Sequence, residues 1–409
     1  MLLTLLGCDP YADWPEAESV FPWVYTPETD LEDYEEVRWE TETWDPTTDT
    51  EMAGLYLQKA LNHREGAPDE SLAHFDVMRQ AIPRLGDGIR LSFVGDVMWV
   101  GSNWSAFAVP AADLLDGDLR VGNLETPVAE SWSTEPSELG LYRYNAPKEI
   151  LDALPLDALQ LTNNHVLDVE DSGLEETVAA VSERYVGTGV DTHATVEVEG
   201  RQVALLAYTW GVNRRDITSA HELFVVPFGH LDEAIDLHAV GADIAAARSD
   251  GADVVVVMPH WGYEYEYYPD PHFLQLGREI VALGADIVAG SGPHVVQPPE
   301  LCHVNQPEFV PGVGACSVRT EDGEPRDAVV LYSTGNFGTT MPTFPCQAGI
   351  VATVSFDASV TGVGWAGALT VTGESGPEIR ALTEEAAVDA DAADELSRLT
   401  AHLGEGWVR

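Results

Sequence analysis

The run VVVVMPHWGYEY, residues 254–265, decides the fold. Its first half is four valines and a methionine, a continuous apolar stretch that suits a strand buried on both faces. Its second half turns polar at once, so that His260 stands where the strand ends. The same sequence of events recurs on both sides. Residues 89–93, 119–121, 158–161, 185–187, 203–207, 287–289 and 329–332 read as strands, several of them ending in polar loops. Between them, 173–184, 232–249 and 271–283 read as amphipathic helices, the last opened by Pro271 and closed by Gly284. Further on, 349–356 and 364–371 read as antiparallel strands and 384–402 as an alanine-rich, acidic helix. This alternation predicts a layered α/β domain over residues 88–375 with a helical tail over 376–409. In such folds ligands gather at the carboxyl ends of the strands.

Five strand-end loops carry the polar groups. FVGD (93–96) presents Asp96, GNLE (122–125) presents Glu125, and LTNNH (161–165) presents Asn164 and His165. His260 ends the valine-rich strand, and GSGPH (290–294) presents His294. Singly, most of these have a plainer reading: Asp96 as a turn or helix cap, His260 as a satisfied half-buried residue, GSGPH as a glycine-rich turn. The Asn-Asn-His run is harder to place in a core, because each amide needs several hydrogen-bond partners. Jointly the loops supply two carboxylates, an amide oxygen and three imidazoles, a ligand set suited to Zn, Mn or Fe. An ion held there would acidify water towards neutral pH and offset the charge of a developing oxyanion.

The rest of the chain sets limits. With 69 acidic against 20 basic residues the net charge is −49, so nucleic acid would be repelled and is excluded as a general partner. At the N-terminus, Leu5-Leu6-Gly7-Cys8 resembles the lipobox of bacterial lipoproteins, which makes 1–8 a shortened signal-like segment and Cys8 a site for a membrane lipid anchor. Residues 9–87 then read as an acidic tether, with short helices over 52–64 and 71–82. Of the remaining cysteines, Cys302 and Cys316 flank a loop containing Pro and Gly and are the first choice for a disulfide, against three reduced thiols with Cys346.

On the pieces FVGDVM (93–98), GNLETP (122–127), TNNHVLDVEDSGLEET (162–177), HWGYEY (260–265), GADIVAGSGPHVVQ (284–297) and YSTGNF (332–337), residues 89–340 resemble the CapA proteins. These are capsule synthesis and poly-γ-glutamate biosynthesis proteins of the calcineurin-like metallophosphatase superfamily. The resemblance implies a metallophosphatase-like four-layered αββα sandwich with mixed sheets. It also implies that Asp96 and His294 bind a first divalent metal, that Asn164 and His260 bind a second, and that Glu125 bridges them. His165 matches the catalytic histidine that assists the leaving group, with Asp168 placed either to orient it or to cap a helix. Two positions depart from the superfamily pattern, because Met98 and Gly292 stand where imidazoles are usual. Each removes a donor, which favours one ion, or two with extra water, and leaves an inactive site as an alternative.

The expected function is a metal-dependent hydrolase of a phosphoester or γ-glutamyl amide, lipid-anchored at the cell envelope and working with capsular or poly-γ-glutamate synthesis components. The alternative is a non-catalytic, membrane-tethered component of a capsular polymer assembly. An anionic polymer would reach either only through the site or through bridging cations, given the acidic surface.

Overall fold

The computed structural model of the chain describes residues 63, 66–140, 142–226, 228, 236–320, 323–341, 343–383 and 390–404, and within them the strands form two seven-stranded sheets. In the first, β1 (Ile89–Val97), β2 (Leu119–Leu124), β3 (Ala158–Gln160) and β4 (Val186–Thr188) run parallel. From β1 the sheet continues as an antiparallel meander of β12 (Ala348–Phe356), β13 (Val360–Gly373) and β14 (Gly376–Leu382). The second sheet is built on parallel β6 (Arg201–Thr209), β7 (Val254–His260), β8 (Ile287–Ala289) and β11 (Arg326–Leu331). It is edged on one side by antiparallel β5 (Ala194–Val198) and on the other by β9 (Glu300–Val304) and β10 (Cys316–Val318). Both sheets are therefore mixed.

Side-chain alternation assigns the layers. In β1, Leu91 and Phe93 join an inner core shared with the valines of β6 and β7, whereas Val94 and Val97 join a separate outer core. That outer core is closed by helix α2 (Glu170–Ser182), through Leu174 and Val181, and by a short helical turn at Glu149–Ala153. The opposite face of the second sheet is covered by α3 (His238–Ser249) and α4 (Pro271–Leu283), whose Val240, Ile244, Leu276 and Ile280 join the same apolar cluster from the outer side. Helix, sheet, sheet and helix thus stack in the four layers expected of a metallophosphatase-like domain. The four valines of β7 are each 0% exposed, and burying a side chain of that size contributes about 1.5–3 kcal/mol.

Helix α4 starts and stops where its sequence signals place it: the Asp270 side chain accepts from His272 N at 2.9 Å, and Gly284 closes the helix at φ +118°. The described segments on either side of residues 88–375 are more embedded than their composition suggests. Strand β14 carries the sheet past residue 375, and α5 (Ala390–Leu403) buries Leu396, Leu399 and Leu403 in the large apolar cluster that includes β7. Likewise α1 (Asp69–Ala81), in the stretch read as tether, contributes Phe75 and Met78, because its apolar stripe packs on β9, where Leu301 N donates to Met78 Sδ at 3.4 Å. Cys302 and Cys316 form the disulfide, joining β9 to β10, and Cys346 is free and buried. The Cys8 segment, the acidic stretch over 9–51 and the helix read at 52–64, apart from residue 63, lie outside the described residues. Among the described residues no helix is long and apolar enough to cross a membrane.

Candidate metal centre

The parallel strands of the two sheets deliver their loops to one place. At the end of β1 the ladder shifts register between Phe93 and Asp96, and Asp96 points inward with no exposed surface. Its Oδ1 accepts from Asn123 Nδ2 at 2.8 Å, and its Oδ2 accepts from Gly292 N at 3.3 Å and lies 3.2 Å from His294 Nδ1. Glu125, one residue past β2, is equally buried, and neither of its carboxylate oxygens has a hydrogen-bond partner. Two imidazoles lie beside it, His260 Nε2 at 3.4 Å from Oε1 and His294 Nδ1 at 3.8 Å from Oε2. Ligand atoms of Asp96, Glu125 and His294 all fall within 4.8 Å of one another.

The imidazoles are held from behind. His260 Nδ1 lies 3.0 Å from Ser291 Oγ and 3.2 Å from Asn123 Nδ2, which leaves Nε2 facing Glu125. His294 sits at φ +59°, with Nδ1 3.0 Å from Asn336 Oδ1, on the segment that crosses from the second sheet to the first. Asn164 offers a buried Oδ1 without a hydrogen-bond partner. His165 Nδ1 lies 2.7 Å from Asp168 Oδ2, which also accepts from Tyr144 N at 2.8 Å. Asp168 is therefore bonded to the ring and caps no helix, since α2 starts without a side-chain cap. The Tyr144 ring packs on His165 at 4.9 Å.

Electrostatics describe a site short of positive charge. Burial, reinforced by the negative charge of Asp96, pushes the Glu125 carboxyl well above its ordinary value. Burial also opposes charge on His294, but Glu125 and Asp96 outweigh it and hold the imidazolium up to about 10. His260, with less compensation from Asp96, is driven by burial down to about 4. Leaving a buried carboxylate unpaired costs several kcal/mol, so Glu125 is stable in this place only if a proton or another cation shares it. A divalent metal fits: hard oxygen and borderline nitrogen donors converge, two of the oxygens have no partner, and outer hydrogen bonds fix the imidazoles.

The residues expected from the sequence are thus brought together: Asp96, Glu125, His260 and His294 in one cluster, with Asn164 and the His165–Asp168 pair on an adjoining loop. Met98 is buried with its sulfur against Thr339 Oγ1 at 3.7 Å, and Gly292 contributes only its backbone. Sequence reasoning missed Asn123, Ser291 and Asn336, which contact the Asp96, His260 and His294 side chains, and Glu264, whose Oε1 lies 3.8 Å from His294 Nε2. Their signal was present in GNLE, GSGPH, YSTGNF and HWGYEY, but only the turn geometry says which of these side chains point inward.

The chain is 26% identical over 271 residues to PGA biosynthesis protein CapA of Bacillus subtilis, covering 61% of this chain and 63% of the relative. It is 28% identical over 238 residues to capsule biosynthesis protein CapA of Bacillus anthracis, covering 52% and 56% respectively. The chain therefore spans about three-fifths of the length of these curated relatives. A crystal structure of a hypothetical protein from Thermus thermophilus aligns with 72% of this chain and 99% of its own length, at 14% identity and a TM-score of 0.39. The family model described as bacterial capsule synthesis protein PGA_cap matches residues 90–340, a stretch that holds every site residue named above, and the chain belongs to this family.

Proposed function

We propose that this protein is a metal-dependent hydrolase of phosphoester or γ-glutamyl amide bonds, acting in capsule or poly-γ-glutamate biosynthesis at the cell envelope. The observation that carries this reading is Glu125, a fully buried carboxylate with two unpartnered oxygens facing two imidazoles. Asp96, Glu125 and His294 would hold one ion of Mn, Zn or Fe, and His260 with Asn164 a second. Such an ion, when bound, supplies Lewis acidity to the bond under attack and to water. The chain's own groups do the rest. Asp168 fixes the Nδ1 proton of His165, which leaves Nε2 to deliver a proton to the departing oxygen or nitrogen. Tyr144 closes one side of that ring and limits its rotation. The relatives' names supply the biological setting, and a lipid anchor at Cys8 would keep the domain at the envelope beside the polymer machinery.

A second reading, a non-catalytic binding component of the polymer assembly, draws support from Met98 and Gly292, which withhold two imidazoles. Elemental analysis of the purified chain and of His260→Ala, followed by hydrolysis assays with an aryl phosphate and poly-γ-glutamate, separates the two. We expect metal in the first protein, less in the variant, and turnover by the metal-loaded chain. Metal without turnover of either substrate supports the second reading, and a chain that takes up no metal refutes the first.

A further inference from the structure

Position 292 has no room for a side chain. Its φ is +114°, and a Cβ built there would stand 2.7 Å from the Trp261 carbonyl oxygen. What occupies the neighbouring space is the segment after β7, fastened to the 291–293 loop by two backbone bonds, Trp261 N to Ser291 O and Tyr265 N to Pro293 O, both 2.9 Å. Gly262 and Tyr265 take positive φ values of +89° and +67°, and the resulting turn carries Glu264 to His294. Glu264 Oε1 reaches within 3.8 Å of His294 Nε2, while its Oε2 is buried with no hydrogen-bond partner. Only 15% of this side chain is exposed, and it lies within electrostatic reach of Glu125. Asp96 and Glu125 thus meet the Nδ1 edge of His294 and Glu264 meets its Nε2 edge, outside the group of converging atoms formed by the other three, and three buried oxygens, both of Glu125 and one of Glu264, have no hydrogen-bond partner.

We propose that Glu264 is a metal ligand of this site, a carboxylate supplied by the β7 loop in place of the imidazole that position 292 cannot carry. The proposal rests on the metal-centre reading above. It makes the donor set richer in oxygen than an imidazole-rich centre, which favours Mn over Zn at the position it serves.

The test is calorimetric titration of the metal-stripped full chain with Mn2+ and, separately, Zn2+ at 0.15 M salt, alongside Glu264→Gln and Glu264→Asp. Thermal melts of the metal-free proteins accompany it. Loss of an outer-shell partner costs about 10–100-fold in affinity, so loss of a direct ligand should exceed about 100-fold for Mn2+. The metal-free Glu264→Gln chain should melt no lower than wild type, because a buried negative charge has been removed. Glu264→Asp, which keeps the charge but withdraws the oxygens, should also bind more weakly. If Glu264→Gln does not fold, Glu264→Asp carries the test alone. Wild-type binding with Glu264→Gln within about 100-fold of it, the range of an outer-shell partner or less, overturns the Glu264 assignment and leaves the metal centre standing, as does Glu264→Asp within about 10-fold where it stands alone. If wild type binds neither ion, the metal-centre reading falls and this assignment with it.

Discussion

Replacing Glu300 by leucine should cost about 3–5 kcal/mol, although the residue is no part of the proposed chemistry. Glu300 opens β9, is fully buried, and holds three groups: His74 Nε2 of α1 at 2.6 Å, Arg278 Nη2 of α4 at 2.6 Å and Tyr332 Oη at 2.6 Å. Each charge-assisted bond contributes roughly 1.5–3 kcal/mol, but Arg278 is 37% exposed and its share is discounted to below about 1 kcal/mol. The leucine variant leaves the Tyr332 hydroxyl and the His74 ring buried without this partner, which accounts for most of the loss. Burial opposes ionisation of Glu300, but His74, Arg278 and Tyr332 outweigh it and lower its pKa from an ordinary 4.5. A depressed carboxylate stabilises the fold above its unfolded pKa, and that contribution is lost as pH falls through the folded value. The deficit of the variant should therefore be largest at neutral pH and shrink below about pH 4.5. Urea unfolding of both proteins followed by tryptophan fluorescence reads this directly. A deficit below about 1 kcal/mol at pH 7, or one that grows in acid, would refute the reasoning.

His165→Ala should lower kcat by about 10²–10⁴ while leaving metal content unchanged, and equal loss of metal would move His165 into the ligand set. Gly292→Ala should destabilise the chain by at least about 2 kcal/mol, since both its φ and the Trp261 carbonyl stand against a Cβ; a neutral result in urea would contradict the loop geometry. Reducing Cys302–Cys316, which closes a loop with a sequence separation of 14, should cost about 3 kcal/mol, checked by melting with and without reductant. Chelation should lower the melting temperature and added Mn2+ restore it, since a ligand at about 100 times its Kd contributes about 2.7 kcal/mol.

Much of the inner architecture was legible because strands buried on both faces leave continuous apolar runs, as in β7, and because α4 carries its own start and stop residues. The edges were not. Strand β5 reads ATVEV and β14 reads GPEIRAL, and each buries one face at most, so neither leaves the continuous apolar run that marks an inner strand, although each pairs in a tight hairpin with the strand beside it in sequence. Helix α1 was visible as a helix, but its docking was not, because the partner of His74 is a glutamate 226 residues away. At the site, the residues that follow strands directly were found by position. Glu264 escaped because its direction is set by positive φ at Gly262 and Tyr265, a property of the folded loop rather than of the local sequence.

The donors that converge at the centre come from both sheets: Asp96 and Glu125 from one, His260 and His294 from the other. An ion there would be a rivet driven through two plates. Its removal would free the plates to shear, so occupancy and mechanical cohesion become one variable. A cell that starves this protein of metal would then present its proteases with a looser substrate, and its abundance would follow metal supply even where its catalytic rate is never limiting.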